Sequence, residues 1–307
     1  MLYDYVTLDV FTDRLFGGNP LAVLPDARGL TTEQMQSIAR EFAYSETTFV
    51  LPPEDRNHTR RVRIFTRMCE IPFAGHPNVG TAVALARLGL LGEVVASQRI
   101  MFEEPAGVVS LFLHGDVDKI ESAEFIAPVL NQFEDQVPAE EAAKALGLPA
   151  DRIVTAHHVP RVLAVGVRFL YVELKDLEAL AASEAAQGPL TRISVARGLD
   201  GVFIYARTGE DGEDGIGIRA RMFAPVHGVM EDAASGSASA GLANILASVH
   251  SDPDGPLKLD VRQGVEMGRP SRMQVTAARN GNEVGEVRVN GGAVLVCRGQ
   301  IEVPEAG

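Results

Sequence analysis

Three side chains in this sequence have the types and settings that move protons or hold anions: Glu46, His76 and Asp232. Glu46 precedes Thr47-Thr48-Phe49-Val50, a β-rich run expected to be largely buried. A carboxylic acid at the edge of a buried strand loses solvation. Its pKa is thereby expected to rise toward the range of a proton shuttle at neutral pH. His76 sits in Ala74-Gly75-His76-Pro77, and Asp232 shortly precedes Ser235-Gly236-Ser237-Ala238. Each glycine stands just ahead of an Ala-rich stretch that reads as a helix. A helix N-terminus presents unpaired N–H groups and the positive end of a dipole. A glycine there lets the amides approach a ligand closely, so such an end binds carboxylate or phosphate without Lys or Arg. Taken singly, each glycine reads as a cap, His76 as a core histidine, Asp232 as a loop cap and Glu46 as a surface acid. Two equivalent turns carrying these side chains favour a site, in one cleft if the two segments face each other.

The elements that position these residues repeat. Arg63-Ile64-Phe65-Thr66 is matched by Arg221-Met222-Phe223-Ala224, and each is followed by an acid, Glu70 or Glu231. Gly75 and Gly236 come five residues after those acids, and Ala-rich helices are expected over 78–88 and 239–248. Two strand–loop–glycine–helix units about 160 residues apart read as duplicated halves. Around them, residues 3–10 alternate as a strand, Gly17-Gly18-Asn19-Pro20 is a turn, and residues 21–24 form a short strand. Thr31 with Gln34 makes a capping box, with Leu30 and Met35 as its staple, and Met35, Ile38, Ala39 and Phe42 fall at helical spacing. Further strands are read at 62–65, within 99–126, and at 161–174, 202–206 and 217–223; helices are read at 138–146 and 176–186. The acidic run from Glu210 to Gly215 reads as a solvated hairpin loop, since it lacks the glutamate of a calcium loop at the right offset.

Composition excludes several classes. The chain has 307 residues, 46% hydrophobic and 22% charged, with a net charge of −13. That length fits two domains of ordinary size or one large one, with a core of useful size. The acidic balance disfavours nucleic acid. The Arg56, His58, Arg60, Arg61 and Arg63 cluster reads as an exposed strand face and its loop. Cys69 and Cys297 form neither a disulfide framework nor a zinc pattern, so no metal is expected. They read as small buried or incidental residues. No basic n-region, long apolar h-region or membrane-length apolar run is present, so a cytoplasmic location and no membrane partner are expected.

With these residues in place, the sequence resembles the PhzF-like family of phenazine-biosynthesis isomerases, related in fold to diaminopimelate epimerase and proline racemase. The matching stretches are Asp9-Val10-Phe11-Thr12, Gly18-Asn19-Pro20, Ser45 to Val50, Pro72 to Pro77, Glu231 to Ala238, Gln263-Gly264 with Gly268 to Ser271, and Gly291 to Val294. They span nearly the whole chain in the family's order. The resemblance implies an α+β fold of two similar halves, each a curved, mostly antiparallel sheet rolled around a central helix. The halves are expected at 1–126, completed by a return of 290–307, and at 127–289. A homodimer without cofactor is also implied, as is an isomerase that moves a hydrogen within a small carboxylated substrate resembling dihydro-hydroxyanthranilate. The family's acid/base glutamate falls on Glu46, and its substrate-handling residues fall on Asn19, Gly75, His76, Asp232, Gly236 and Ser237. The sequence departs from the pattern at Arg67-Met68-Cys69, where a proline-containing turn is common. It departs again at Asn78, where a small hydroxyl residue is common, and at Ala233, where a proline is frequent.

Two other readings stay open. A two-base racemase or epimerase on the same fold places one thiol just before each helix-opening glycine, but those positions are Ala74 and Ser235 here. A non-catalytic binding protein has no need of Glu46, His76 and Asp232 together.

Overall fold

A helix that is small or apolar on every side is stable only when enclosed. The Ala-rich segments after Gly75 and Gly236 have that composition, and the computed structural model packs a sheet against each. It describes residues 1–95, 97–116, 119–127, 135–184, 187–212, 214–250, 255–281 and 283–305. Chain contacts divide the protein into two units, residues 1–126 with 290–307, and residues 127–289. The architecture is mixed α+β.

The first unit contains β1 (Leu2–Val10), β2 (Asn19–Leu24), α1 (Thr32–Phe42), β3 (Glu46–Leu51), β4 (Arg60–Thr66), β5 (Glu70–Ile71), α2 (Gly75–Arg87), β6 (Arg99–Glu104), β7 (Gly107–Asp116) and β8 (Lys119–Ile126). Its strands lie in the order β1-β2-β3-β4-β6-β7-β8, with β5 beside β4. The neighbours are antiparallel except β2 with β3 and β4 with β6, which are parallel. Parallel neighbours need a crossover, and α1 and α2 lie in those two connections. Helix α2 packs against β1, β2, β3, β7 and β8, and its residues from Gly75 to Leu85 are buried. On the other face of the sheet, Met35, Ile38 and Ala39 of α1 join Leu24, Phe49 and Phe65 in a second core. The Thr31–Gln34 capping box forms as read, and Phe42 packs edge-on to Tyr5 with ring centres 4.9 Å apart.

The second unit contains α3 (Ala139–Ala145), β9 (Arg161–Val165), β10 (Val167–Glu173), α4 (Leu177–Ala182), α5 (Gln187–Arg197), β11 (Gly201–Arg207), β12 (Ile216–Ala224), β13 (Val229–Asp232), α6 (Gly236–Val249), β14 (Leu257–Gln263) and β15 (Ser271–Asn280). The strand order is β15-β14-β12-β11-β10-β9, with β13 beside β12. Helix α6 packs against β9, β14 and β15, and is buried from Gly236 to Ala247 except at Ser237. Helices α3, α4 and α5 share a separate core with β9 to β12, through Leu146, Leu180, Leu190, Ile193 and Phe223. The last strand, β16 (Glu283–Glu302), starts in this unit and ends in the first, where Ala293 to Glu302 pair antiparallel with β1. Helix α5 was not anticipated, and part of the helix expected over 176–186 lies outside the described residues.

Each buried helix carries a glycine where the sheet comes closest. A Cβ on Gly80 would lie 2.5 Å from Leu21 Cδ2, and one on Gly241 would lie 2.0 Å from the Tyr171 hydroxyl. That hydroxyl is buried and has no hydrogen-bond partner among the described residues. Gly241→Ala is therefore expected to lower the unfolding free energy by ~1–3 kcal/mol through overpacking. Tyr171→Phe should restore part of that loss, because it removes the clashing oxygen, which is also an unsatisfied group. Urea unfolding of both single variants and the double variant checks this; strictly additive effects would refute the contact.

Candidate functional site

Glu46 opens β3, in register with Leu21 of β2 and Thr66 of β4. Strand alternation puts it on the same face as Thr48, whose Oγ1 lies 2.9 Å from Thr81 Oγ1 of α2. Glu46 thus faces the central helix at the end where that helix begins. His76, in the first turn of α2, brings Nε2 to 3.4 Å from Glu46 Oε2; the two side chains are only 5% and 17% exposed. On the other side of the ring, Asn19 Nδ2 lies 3.4 Å from His76 Nδ1, and the Ser45 hydroxyl donates to Asn19 Oδ1 at 2.9 Å. Burial lowers the His76 pKa to about 3, against the opposing effect of a hydrogen bond to the Pro20 carbonyl. The imidazole is therefore neutral at neutral pH, and its contact with Glu46 is polar rather than ionic.

The α2 N-terminus is open. Its N-cap residue is Ala74, and no side chain caps it. The first-turn N–H groups therefore have no side-chain cap as acceptor. Gly75 is the first helical residue and is buried. It is not among the glycines with positive φ, so backbone freedom is not what the position requires. The loop into the helix is held by a two-pronged pair: Arg63 Nε and Nη2 donate to Glu70 at 2.8 and 2.6 Å, while the guanidinium lies over the Phe65 ring.

The second unit repeats the device. Arg221 Nε and Nη2 donate to Glu231 at 2.8 and 2.9 Å, over the Phe223 ring. Asp232 ends β13, and its Oδ2 accepts from the Ser235 hydroxyl at 2.6 Å. Ser235 is the N-cap residue of α6, again without a side-chain cap bond, and Gly236 and the half-buried Ser237 follow it. Gln263 fixes this loop: its Oε1 accepts from Ser235 N–H, and its Nε2 donates to the Asp232 carbonyl and to Ser235 Oγ. Ser271 donates to the Ala233 carbonyl at 2.9 Å. Gly264, at φ +72°, passes so close that a Cβ would lie 2.6 Å from that same carbonyl oxygen. The Gln263-Gly264 and Gly268 to Ser271 stretches are therefore the bed on which the Asp232 loop rests.

The sequence-read residues fall into two sets, Asn19, Glu46, Gly75 and His76 in the first unit and Asp232, Gly236 and Ser237 in the second. Ser45, Ser235, Gln263 and Ser271 were not singled out as partners, although each lies in a stretch quoted for the resemblance. The cysteines are exposed rather than buried. Among the described residues, no group of three or more His, Cys, Asp or Glu is placed to hold a metal ion. No described helix is long and apolar enough to cross a membrane. The arginine-rich segment is engaged locally, with Arg61 paired to Glu54, His58 to Glu103 and Arg63 to Glu70.

Comparison with known proteins bears on the family and the fold. Residues 8–299 match the family PhzC-PhzF, described as phenazine biosynthesis-like protein. The trans-2,3-dihydro-3-hydroxyanthranilate isomerase of Pseudomonas aeruginosa is 36% identical, over 97% of this chain and 99% of the relative. A solved PhzF-family phenazine biosynthesis protein of Bacillus anthracis superposes with a TM-score of 0.84 at 25% identity, over 98% of this chain and 99% of the other. A hydroxyproline epimerase of Agrobacterium vitis superposes with a TM-score of 0.63 at 13% identity, covering 99% and 93% of the two chains. At that identity the likeness is one of fold.

Proposed function

The chain belongs to the PhzC-PhzF family and is an isomerase, and we propose that Glu46 is the acid/base that moves a proton within a small carboxylated ring substrate. The observation that carries this reading is the Glu46–His76 contact at the uncapped start of α2. There a carboxylate stands beside amides free to bind the anionic group of a substrate. A neutral His76 adds no cationic charge that would lock Glu46 in its ionised form, so the carboxyl can take a proton and return it. Asn19 and Ser45 orient the imidazole. In the same reading Asp232, Gly236 and Ser237 keep the substrate-handling role that the family resemblance gives them. The protein works as a homodimer without cofactor, as the family resemblance implies.

The racemase alternative needs a thiol just ahead of each helix-opening glycine. Those N-cap positions hold Ala74 and Ser235, and Ser235 is already engaged with Asp232. Cys69→Ala and Cys297→Ser are therefore expected to keep most turnover of trans-2,3-dihydro-3-hydroxyanthranilate, as is the wild type after thiol alkylation. Single enantiomers of proline, hydroxyproline or diaminopimelate in D₂O should show neither racemisation nor α-deuterium. Rapid α-exchange, or inactivation that tracks alkylation of Cys69, would favour the racemase.

A further inference from the structure

The start of α2 carries a second polar group that proton transfer by Glu46 does not use. Asn78, fully buried in the first turn, donates from Nδ2 to the Ala74 carbonyl at 3.1 Å. Glu104, at the end of β6, is 8% exposed and lies beside that carboxamide. The turn after Glu104 is tied to the loop leading into α2, since Ala106 N–H donates to the Pro72 carbonyl at 3.2 Å. Among the described residues neither Glu104 oxygen nor Asn78 Oδ1 has a hydrogen-bond partner. Burial pushes the Glu104 pKa up to about 8, with Asn78 opposing the rise, so the group holds its proton at neutral pH. As placed, none of these three buried oxygens takes part in a hydrogen bond among the described residues. A buried acceptor left unmatched costs about 1–3 kcal/mol, which a donor from a ligand recovers. Asn78 also stands where the family resemblance calls for a small hydroxyl residue.

We propose that Glu104 and Asn78 form a recognition subsite beside the α2 N-terminus for a hydrogen-bond-donating substituent, an amino group on the carboxylated ring bound there. This rests on the reading that the helix end binds the ring carboxylate. The oxygens accept from the substituent while the orphan amides hold the carboxylate, which fixes the ring relative to Glu46.

Isothermal titration with benzoate and 2-aminobenzoate tests it, because the two differ only in the donor. Wild-type protein is expected to bind 2-aminobenzoate roughly tenfold more tightly. Asn78→Leu and Glu104→Met should each reduce that preference to about twofold or less while leaving benzoate affinity within about threefold. Each variant tests the idea independently should the other fail to fold. Benzoate binding without an amino preference in the wild type, or the full preference kept in a folded variant, overturns the subsite and leaves the carboxylate reading intact. Binding of neither ligand to the wild type overturns both.

Discussion

Under the proposed mechanism Glu46→Gln is expected to slow turnover by roughly 10²–10⁴, with trans-2,3-dihydro-3-hydroxyanthranilate, the compound in the name of the 36%-identical relative, as the probe. The substitution keeps the shape of the side chain and its polar contact with His76, so folding and ligand affinity should stay near wild type. The loss therefore belongs in kcat rather than KM, because the missing interaction is made only as the proton moves. The wild-type pH–rate profile should carry a limb that is missing from the variant. A Gln variant with near-normal kcat would remove Glu46 from the mechanism. A variant with normal kcat and a greatly raised KM would make it a binding residue instead.

The second large effect concerns stability, and its sign follows from Glu104. Burial raises its pKa from the ordinary 4.5 to about 8 in the folded protein. Between those values the folded state binds more protons than the unfolded state, so stability falls as pH rises. The contribution is complete below about pH 4.5 and is lost as pH passes through 8. Glu104→Gln cannot ionise. It should match the wild type near pH 5 and exceed it at pH 9 by on the order of 2–4 kcal/mol. His76 acts in the opposite sense, since its lowered pKa costs stability as pH falls from 6.5 toward 3. It is common to both proteins, so the difference between them isolates Glu104. Urea unfolding from pH 5 to 9 measures it. A gap that does not widen with pH would mean that the Glu104 carboxyl is not held neutral by the fold.

Much of the first unit was legible because its signals are local. The capping box at Thr31, the apolar spacing of α1 and the buried β-rich run after Glu46 each lie within a few residues. The recurrence of an Arg–Glu pair ahead of a helix-opening glycine was legible through its spacing. The reason for that spacing was not, because the Arg–Glu clamps and the Gly80 and Gly241 contacts exist only once the strands pair. Helix α2 starts at Gly75, three residues before the expected Asn78. Gly75 was read as standing just ahead of the helix, but it and Pro77 lie in the first turn, where proline is tolerated because its missing N–H has no partner to lose. Helix α5 escaped because Gly188 and Pro189 stand at its start and its apolar residues show little periodicity. Cys297 read as buried beside Val294-Leu295-Val296. In the sheet the β1–β16 register shifts, with Thr7 opposite Cys297 and Leu8 opposite Leu295, so one residue is extra and alternation is interrupted. The Glu104–Asn78 pairing depends on where β6 ends relative to α2, which no local pattern encodes.

Proton abstraction by Glu46 is tested most directly by following trans-2,3-dihydro-3-hydroxyanthranilate in D₂O by NMR with the wild type and with Glu46→Gln. The wild type is predicted to shift a ring hydrogen to a new carbon, and the variant to leave the substrate neither shifted nor exchanged at the donor carbon. Hydrogen shift or donor-carbon exchange at the wild-type rate in the Gln variant would contradict the account.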